Sequence, residues 1–267
     1  MSWFSQTDQQ GLLKRSWLHY FFWFSKRGLF MFSLTLQAQP LMIAHAGGGI
    51  NGMNYSNSIE ALEANYAKGF RVFEIDFSWT RDGQLVCLHD WRKRFKKVFG
   101  VKIKQALTYQ QFQHYLDETQ GVHPCTPKSL ASWLQKHTDA KIITDVKHNN
   151  IRAIKKLKAQ FPHMVEHFIV QFYQPEEYAI LKNMGFSQLI WILYQYKGSK
   201  KSVVHAAKQM DLVAVSMNRS LVKSTTLQKL IAAGHKIFVY TINKHKKVKL
   251  LQNKYHVSGI YTDFLNP

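Results

Sequence analysis

Eight short apolar runs, separated by helical patterns with legible starts and stops, predict an α/β chain folded as a (β/α)8 TIM barrel. The runs are LMIAH (41–45), RVFEIDF (71–77), KIITDVK (141–147), FIVQFY (168–173), QLIWILY (188–194), LVAVSM (212–217), KIFVYTI (236–242) and GIYTDF (259–264). They are rich in β-branched and aromatic residues and apolar nearly throughout, as parallel strands buried on both faces should be. Between them, NSIEALEANYAKG reads as a helix with Asn57 as N-cap, Glu60 as its capping-box partner and Gly69 past the end. TTLQKLIAAG (225–234) repeats the pattern. A doubly wound open sheet uses the same units and is the alternative arrangement. The longest interruption, residues 90–139, carries a basic loop and one or two helices, among them TPKSLASWLQKH.

One run does not fit the series. LVCLH (85–89) follows the second strand too closely for a parallel crossover, so it must return antiparallel as a hairpin excursion. Asp82-Gly83 is a strong two-residue turn. With that pair as the loop, Arg81 faces Gln84 and His89 falls opposite Asp76, on the face that Glu74 shares.

Two carboxylates this close repel each other, and a divalent cation removes the conflict. Carboxylate oxygens suit a hard ion, Mg²⁺ or Ca²⁺, and leave the imidazole free for proton transfer. Ion pairs from Glu74 and Asp76 to nearby lysines are the plainer reading, although acids inside an apolar strand are rare without a partner. His45 ends the first strand, at the barrel end where active sites gather, and glycines 47 to 49 follow it. TDVK puts Asp145 and Lys147 on one face at the end of the third strand, as an ion pair or as a third oxygen ligand and a phosphate contact.

The 36 Lys and Arg against 16 Asp and Glu give a formal charge of +20, which attracts anions without choosing among nucleic acid, lipid and small molecules. Cys87 and Cys125 have no metal-like spacing, which argues against a structural zinc site and against a disulfide framework. Residues 1–38 form an aromatic, basic extension broken by Lys26 and Arg27 before the ~20 residues that a membrane span needs. It reads as an interfacial helix, a signal-like segment or a soluble capping helix, with residues 39–267 as the barrel domain. These readings give a membrane-associated protein, or a periplasmic or secreted one after cleavage.

His45-x-Gly, Glu74-x-Asp76, the turn from Thr80 to Gly83, and His89-Asp90 occur in order, and together they resemble the glycerophosphodiester phosphodiesterases, in the superfamily of phosphatidylinositol-specific phospholipases C. TPKSLASWL, TDVK and FVYTIN…VSGIYTD are similar to further segments of that family. The resemblance implies a barrel that cleaves phosphodiesters, with His45 and His89 as the acid/base pair. It further implies Glu74, Asp76 and Asp145 as ligands of one divalent cation, and Lys147 as a phosphate contact. This chain has Ala46 where the family has arginine, Ser56 where it has glutamate, and Asp145 where it has glutamate. It is thus a divergent branch, for which a glycerophosphodiester or a glycerophospholipid-type substrate is expected.

The basic stretch WRKRFKKVFGVKIK follows His89-Asp90 and is expected to hang over the barrel mouth, where Trp91, Phe95 and Phe99 among the lysines suggest an anionic membrane surface. A catalytically silent membrane-binding barrel is the second reading. A nucleic-acid-binding protein is the third: the charge permits it, but the sequence carries no recognised nucleic-acid module.

Overall fold

The structure, a computed structural model, describes residues 39–267; the extension expected at residues 1–38 lies outside the described residues. The chain runs β1 (Leu41–Ala44), α1 (Ile59–Ala67), β2 (Val72–Trp79), β3 (Leu85–Cys87), α2 (Lys93–Phe99), α3 (Tyr109–Glu118) and α4 (Pro127–Lys136). It continues through β4 (Lys141–Val146), α5 (Asn150–Gln160), β5 (Phe168–Phe172), α6 (Pro175–Asn183), β6 (Leu189–Ile192) and α7 (Lys200–Ala207). It ends with β7 (Ala214–Asn218), α8 (Thr225–Ala232), β8 (Ile237–Tyr240), α9 (His245–Tyr255) and β9 (Gly259–Thr262).

All strands but β3 pair in parallel and close into a (β/α)8 barrel, with β1 between β9 and β2. The eight apolar runs are its eight strands. Alternate side chains of a strand point to one face. Inside the ring, Ile43, Val72, Ile143, Ile169, Ile190, Ala214, Phe238 and Tyr261, one from each barrel strand, pack into an apolar floor. Two residues further along the chain stand Glu74, Asp145 and Gln171 on their strands and His45 just past the end of β1, so a single step turns floor into polar mouth. The opposite face of β2, with Phe73, Ile75 and Phe77, packs in the core beneath the helices.

Several local expectations change. Ser58, not Asn57, caps α1, its Oγ accepting from Ala61 N–H at 3.1 Å. Glu60 reaches instead to His123, whose N–H it accepts at 2.9 Å. Asn57 takes the left-handed conformation, φ 50°, which frees its amide for another task.

The hairpin is antiparallel but one residue out of the expected register. Phe77 faces Cys87, Ser78 faces Val86 and Trp79 faces Leu85. The loop has three residues, not two. Thr80 Oγ1 accepts from Gln84 N–H at 2.8 Å, and Gly83 closes the turn at φ 75°, a conformation that glycine adopts freely. His89 is therefore not the strand partner of Asp76. It reaches the mouth because pairing ends at Cys87, where Ser78 Oγ donates to Leu88 O at 2.6 Å and the chain bends.

Cys87 and Cys125, for which the spacing gave no disulfide, are bonded, with Cα atoms 4.9 Å apart. Cys87 N–H donates to Cys125 O at 2.8 Å, so a backbone pairing of distant segments brings the two side chains together. The gap at 90–139 holds three helices, and the basic stretch forms the first of them. Phe95 is fully buried with Val86, Leu88 and Phe112, and Trp91 and Phe99 pack against this cluster. Those aromatics form a satellite core and not a free apolar face.

Candidate active site

All six residues singled out in the sequence, His45, Glu74, Asp76, His89, Asp145 and Lys147, line one cavity of about 280 Å³ at the barrel mouth. The strands set the acids. Asp76 and Asp145 are direct partners across the β2–β4 ladder, and Glu74 stands two residues before Asp76 on the same face. One oxygen from each of Glu74, Asp76 and Asp145 lies within 4.8 Å of the others.

Each carboxylate is held differently. Glu74 Oε2 accepts from Ala46 N–H at 2.8 Å, while Oε1 is buried without a partner. Burial and the neighbouring charge of Asp76 push its carboxyl up to about 8. Asp76 is also buried, which by itself raises a carboxyl, but Lys147 at 3.2 Å and the two histidines hold it below the usual range. Asn57 clasps it further, donating Nδ2–H to Oδ2 at 3.0 Å. Asp145 Oδ1 accepts from the hydroxyls of Tyr173 at 2.5 Å and Tyr194 at 3.0 Å, and its Oδ2 pairs with Lys147. Against the cost of burial, Asp76 and Asp145 keep the Lys147 ammonium well above its ordinary value.

The donor set fits a hard divalent cation. Three carboxylates converge, one with an orphaned buried oxygen, and a buried unpaired oxygen costs about 1–3 kcal/mol until something meets it. Lys147 is the ion pair that plainer chemistry calls for, and it reaches Asp76 and Asp145 but leaves Glu74 Oε1 unmet.

Both histidines are oriented by acids. His45 Nδ1 lies 2.8 Å from Asp263 Oδ1, and its Nε2 faces Glu74 Oε2 at 3.9 Å. Burial lowers the His45 pKa, but the Asp263 hydrogen bond and the Glu74 charge outweigh it and raise it overall. Asp263 in turn accepts from Asn243 at 2.8 Å and Asn54 at 3.3 Å. His89 Nδ1 lies 3.1 Å from Asp90 Oδ2, while Asp90 Oδ1 accepts from Arg92 and Lys93 N–H at the start of α2. Tyr55 stands between the imidazoles, its ring 4.5 Å from His45 and 5.0 Å from His89, with the Arg94 guanidinium 3.6 Å above it.

Sequence reasoning missed Asp263, Asn57, Tyr55, Tyr173 and Tyr194 as parts of this arrangement. The acid in GIYTDF was visible: it stands just past the end of a strand that barrel closure sets beside β1. In the sequence Asn57 has the place of a helix cap, and the tyrosines carry no spacing signal.

An acidic triad and two carboxylate-oriented imidazoles stand at the mouth of a parallel barrel, an arrangement that suits a phosphoric diester hydrolase. The chain belongs to the glycerophosphoryl diester phosphodiesterase family, whose model matches residues 45–266. No curated protein matches its sequence. Among solved structures it is similar to the glycerophosphodiester phosphodiesterase of Thermotoga maritima, with a TM-score of 0.65 and 17% identity over 85% of this chain and 95% of that one. A glycerophosphodiester phosphodiesterase from Parabacteroides distasonis gives 0.64 and 18% over 85% and 94%. An Oleispira antarctica phosphodiesterase in complex with the product sn-glycerol-3-phosphate gives 0.59 and 16% over 84% and 93%. At these identities the likeness is one of fold.

Proposed function

We propose that the chain hydrolyses a glycerophosphodiester or glycerophospholipid-type substrate, with His45 and His89 as the acid/base pair and one divalent cation, Mg²⁺ or Ca²⁺, held by Glu74, Asp76 and Asp145. The observation that carries this reading is the convergence of both imidazoles and all three acids on one cavity. Glu74, Asp76 and Asp145 would hold the cation, which would supply Lewis-acid polarisation of a phosphoryl oxygen. The protein's own groups do the rest. An Nδ1–H directed at Asp263 leaves His45 Nε2 to exchange a proton, and Asp90 orients His89 in the same way. One imidazole removes the proton of the attacking water or substrate hydroxyl as its oxygen bonds to phosphorus, and the other protonates the alcohol oxygen that departs as its P–O bond breaks. Lys147 supplies positive charge toward the phosphate. The sn-glycerol-3-phosphate carried by the Oleispira antarctica phosphodiesterase supports a glycerophosphate-containing substrate.

The test is release of sn-glycerol 3-phosphate or lysophospholipid products with Mg²⁺ or Ca²⁺, abolished by EDTA. Full activity in His89→Ala would overturn the assignment.

An anionic bilayer as the source of the substrate draws support from Arg92, Lys93, Lys96 and Lys97, which are exposed where β3 leads into α2. Among the described residues no helix is long and apolar enough to cross a membrane. The Cys87–Cys125 bond supports an oxidising compartment, the periplasmic or secreted alternative. Flotation with phosphatidylserine vesicles tests the first point: binding unchanged when these four residues become serine would remove it. Alkylation of unreduced protein followed by mass spectrometry tests the second.

A further inference from the structure

We propose that a second cleft, beside the catalytic cavity, binds an anionic group on the alcohol of the substrate, so that the preferred phosphodiester carries a phosphate or carboxylate beyond the scissile bond. This inference rests on the phosphodiesterase reading above and narrows its substrate class.

The catalytic cavity, at about 280 Å³, lies at the small end of ligand sites and suits a glycerophosphate but little more. Next to it opens a cleft of about 550 Å³, walled on one side by the β2–β3 hairpin and on the other by the β4–α5 connection. Lys147 lines both spaces, and Trp91, two residues after His89, lines the cleft. A substrate with its phosphodiester at the histidines thus has room for its alcohol on the Lys147 side.

The walls of the cleft are cationic. Arg81 comes from the hairpin and Arg152 from α5, with Lys147 and His148 between them. Both arginines are exposed, and neither forms an ion pair among the described residues. The acid in the wall, Asp82, stays ionised beside Arg81, its Oδ1 accepting from Thr80 Oγ1–H at 2.6 Å and from Tyr109 N–H at 2.9 Å, so one negative charge stands against Arg81, Arg152 and Lys147. Arg152 is also placed, and the backbone of Arg81 is held by its N–H donating to Leu107 O at 2.8 Å. Arg152 lies 5.0 Å from the Trp79 ring, and Trp79 is fixed in turn, its Nε1–H donating to His148 O at 2.8 Å while its own carbonyl accepts from Trp91 Nε1–H at 2.8 Å. Two guanidiniums on a tryptophan-braced cleft match a phosphate or carboxylate better than a choline or an unsubstituted glycerol.

The experiment compares two soluble substrates that differ by one phosphate, glycerophosphoinositol and glycerophosphoinositol 4-phosphate, with full-length protein and divalent cation. The phosphorylated compound is expected to show a kcat/KM about tenfold higher, the scale of one charge-assisted contact open to solvent. In the Arg81→Ala/Arg152→Ala protein the ratio falls to about one. Equal kcat/KM for the two compounds in the unaltered protein, or a ratio that survives the double substitution, overturns the proposal. Calorimetric binding of inositol 1,4-bisphosphate against inositol 1-phosphate repeats the comparison without turnover. A double variant that loses phosphatidylserine vesicles but keeps the soluble preference would assign the arginines to the bilayer and sink the cleft. Failure to cleave any phosphodiester would instead remove the parent reading, while the binding comparison still decides the cleft.

Discussion

Asn57 holds Asp76 with both ends of its amide: Oδ1 accepts from Asp76 N–H at 2.9 Å, and Nδ2 donates to Asp76 Oδ2 at 3.0 Å. The clasp fixes both the backbone and the carboxylate of a candidate cation ligand. Asn57 achieves it from the left-handed conformation, φ 50°, which a β-carbon ordinarily opposes by about 1–2 kcal/mol.

Two substitutions separate those roles. Asn57→Gly keeps the backbone accessible and removes only the amide, so folding should survive while cation affinity falls about 10–100-fold, the usual cost of a lost outer partner. Asn57→Ala should add a stability loss of about 1–2 kcal/mol. Cation titration followed by thermal unfolding reads both. An Asn57→Gly protein with unchanged affinity would show that the clasp is structural only.

Addition of Mg²⁺ or Ca²⁺ to EDTA-stripped protein should raise Tm. At a hundred times Kd a bound ion stabilises by about 2.7 kcal/mol. For a chain of this size that is about 5–10 °C. Asp145→Asn keeps the shape and its contacts with Tyr173 and Tyr194 but removes a charged ligand. An equal rise in Asp145→Asn would place the ion elsewhere.

His45 and Asp263 meet across 218 residues of chain. Asp263→Asn preserves size while exchanging an acceptor for an amide that can hold the wrong tautomer of His45. The expected result is a fall in kcat of about 10²-fold or more with little change in Tm, since general acid/base catalysis contributes about 10²–10⁴. If kcat holds, His45 does not need the acid behind it.

The barrel was legible because buried parallel strands write themselves as continuous apolar runs, and Glu74, Asp76 and Asp145 stood out inside such runs. The hairpin shows the limit of that reading. Asp-Gly fits a two-residue loop as readily as the end of a three-residue one, and the choice rests on Thr80 Oγ1 accepting from Gln84 N–H. His89 still reaches the mouth, by a bend after Cys87 that no strand periodicity encodes. The disulfide was illegible for a related reason, since it joins segments 38 residues apart that only tertiary pairing brings together.

That disulfide should matter to stability. Closing a loop of this length restricts the unfolded chain by about 4 kcal/mol on the chain-entropy account. Cys87→Ala/Cys125→Ala, or reduction, should therefore lower Tm by about 8–16 °C. Cys125 N–H also donates to Asn57 O at 2.7 Å, so the bond braces the segment that clasps Asp76. Weaker cation binding in the reduced protein, beyond the loss of stability, would report that link.

The basic stretch after His89 was expected to offer aromatics to a membrane, and the structure turns them inward. Phe95 is fully buried, its ring 4.6 Å from Phe99 and 5.8 Å from Trp91. Phe95→Ala should cost about 3–5 kcal/mol, as loss of a buried aromatic does. Lys93→Ser/Lys96→Ser changes exposed side chains only and should leave stability within about 0.5 kcal/mol. The activity consequences should differ too, because the helix begun by Asp90 also carries Arg94 over Tyr55, between the two imidazoles. Phe95→Ala is therefore expected to reduce kcat on soluble substrate even where the protein remains folded, whereas the lysine pair should affect only substrate presented in anionic vesicles. Unfolding curves with kinetics on both substrate forms decide the matter: a Phe95→Ala protein of native stability would mean that the satellite core is not what holds this helix at the mouth.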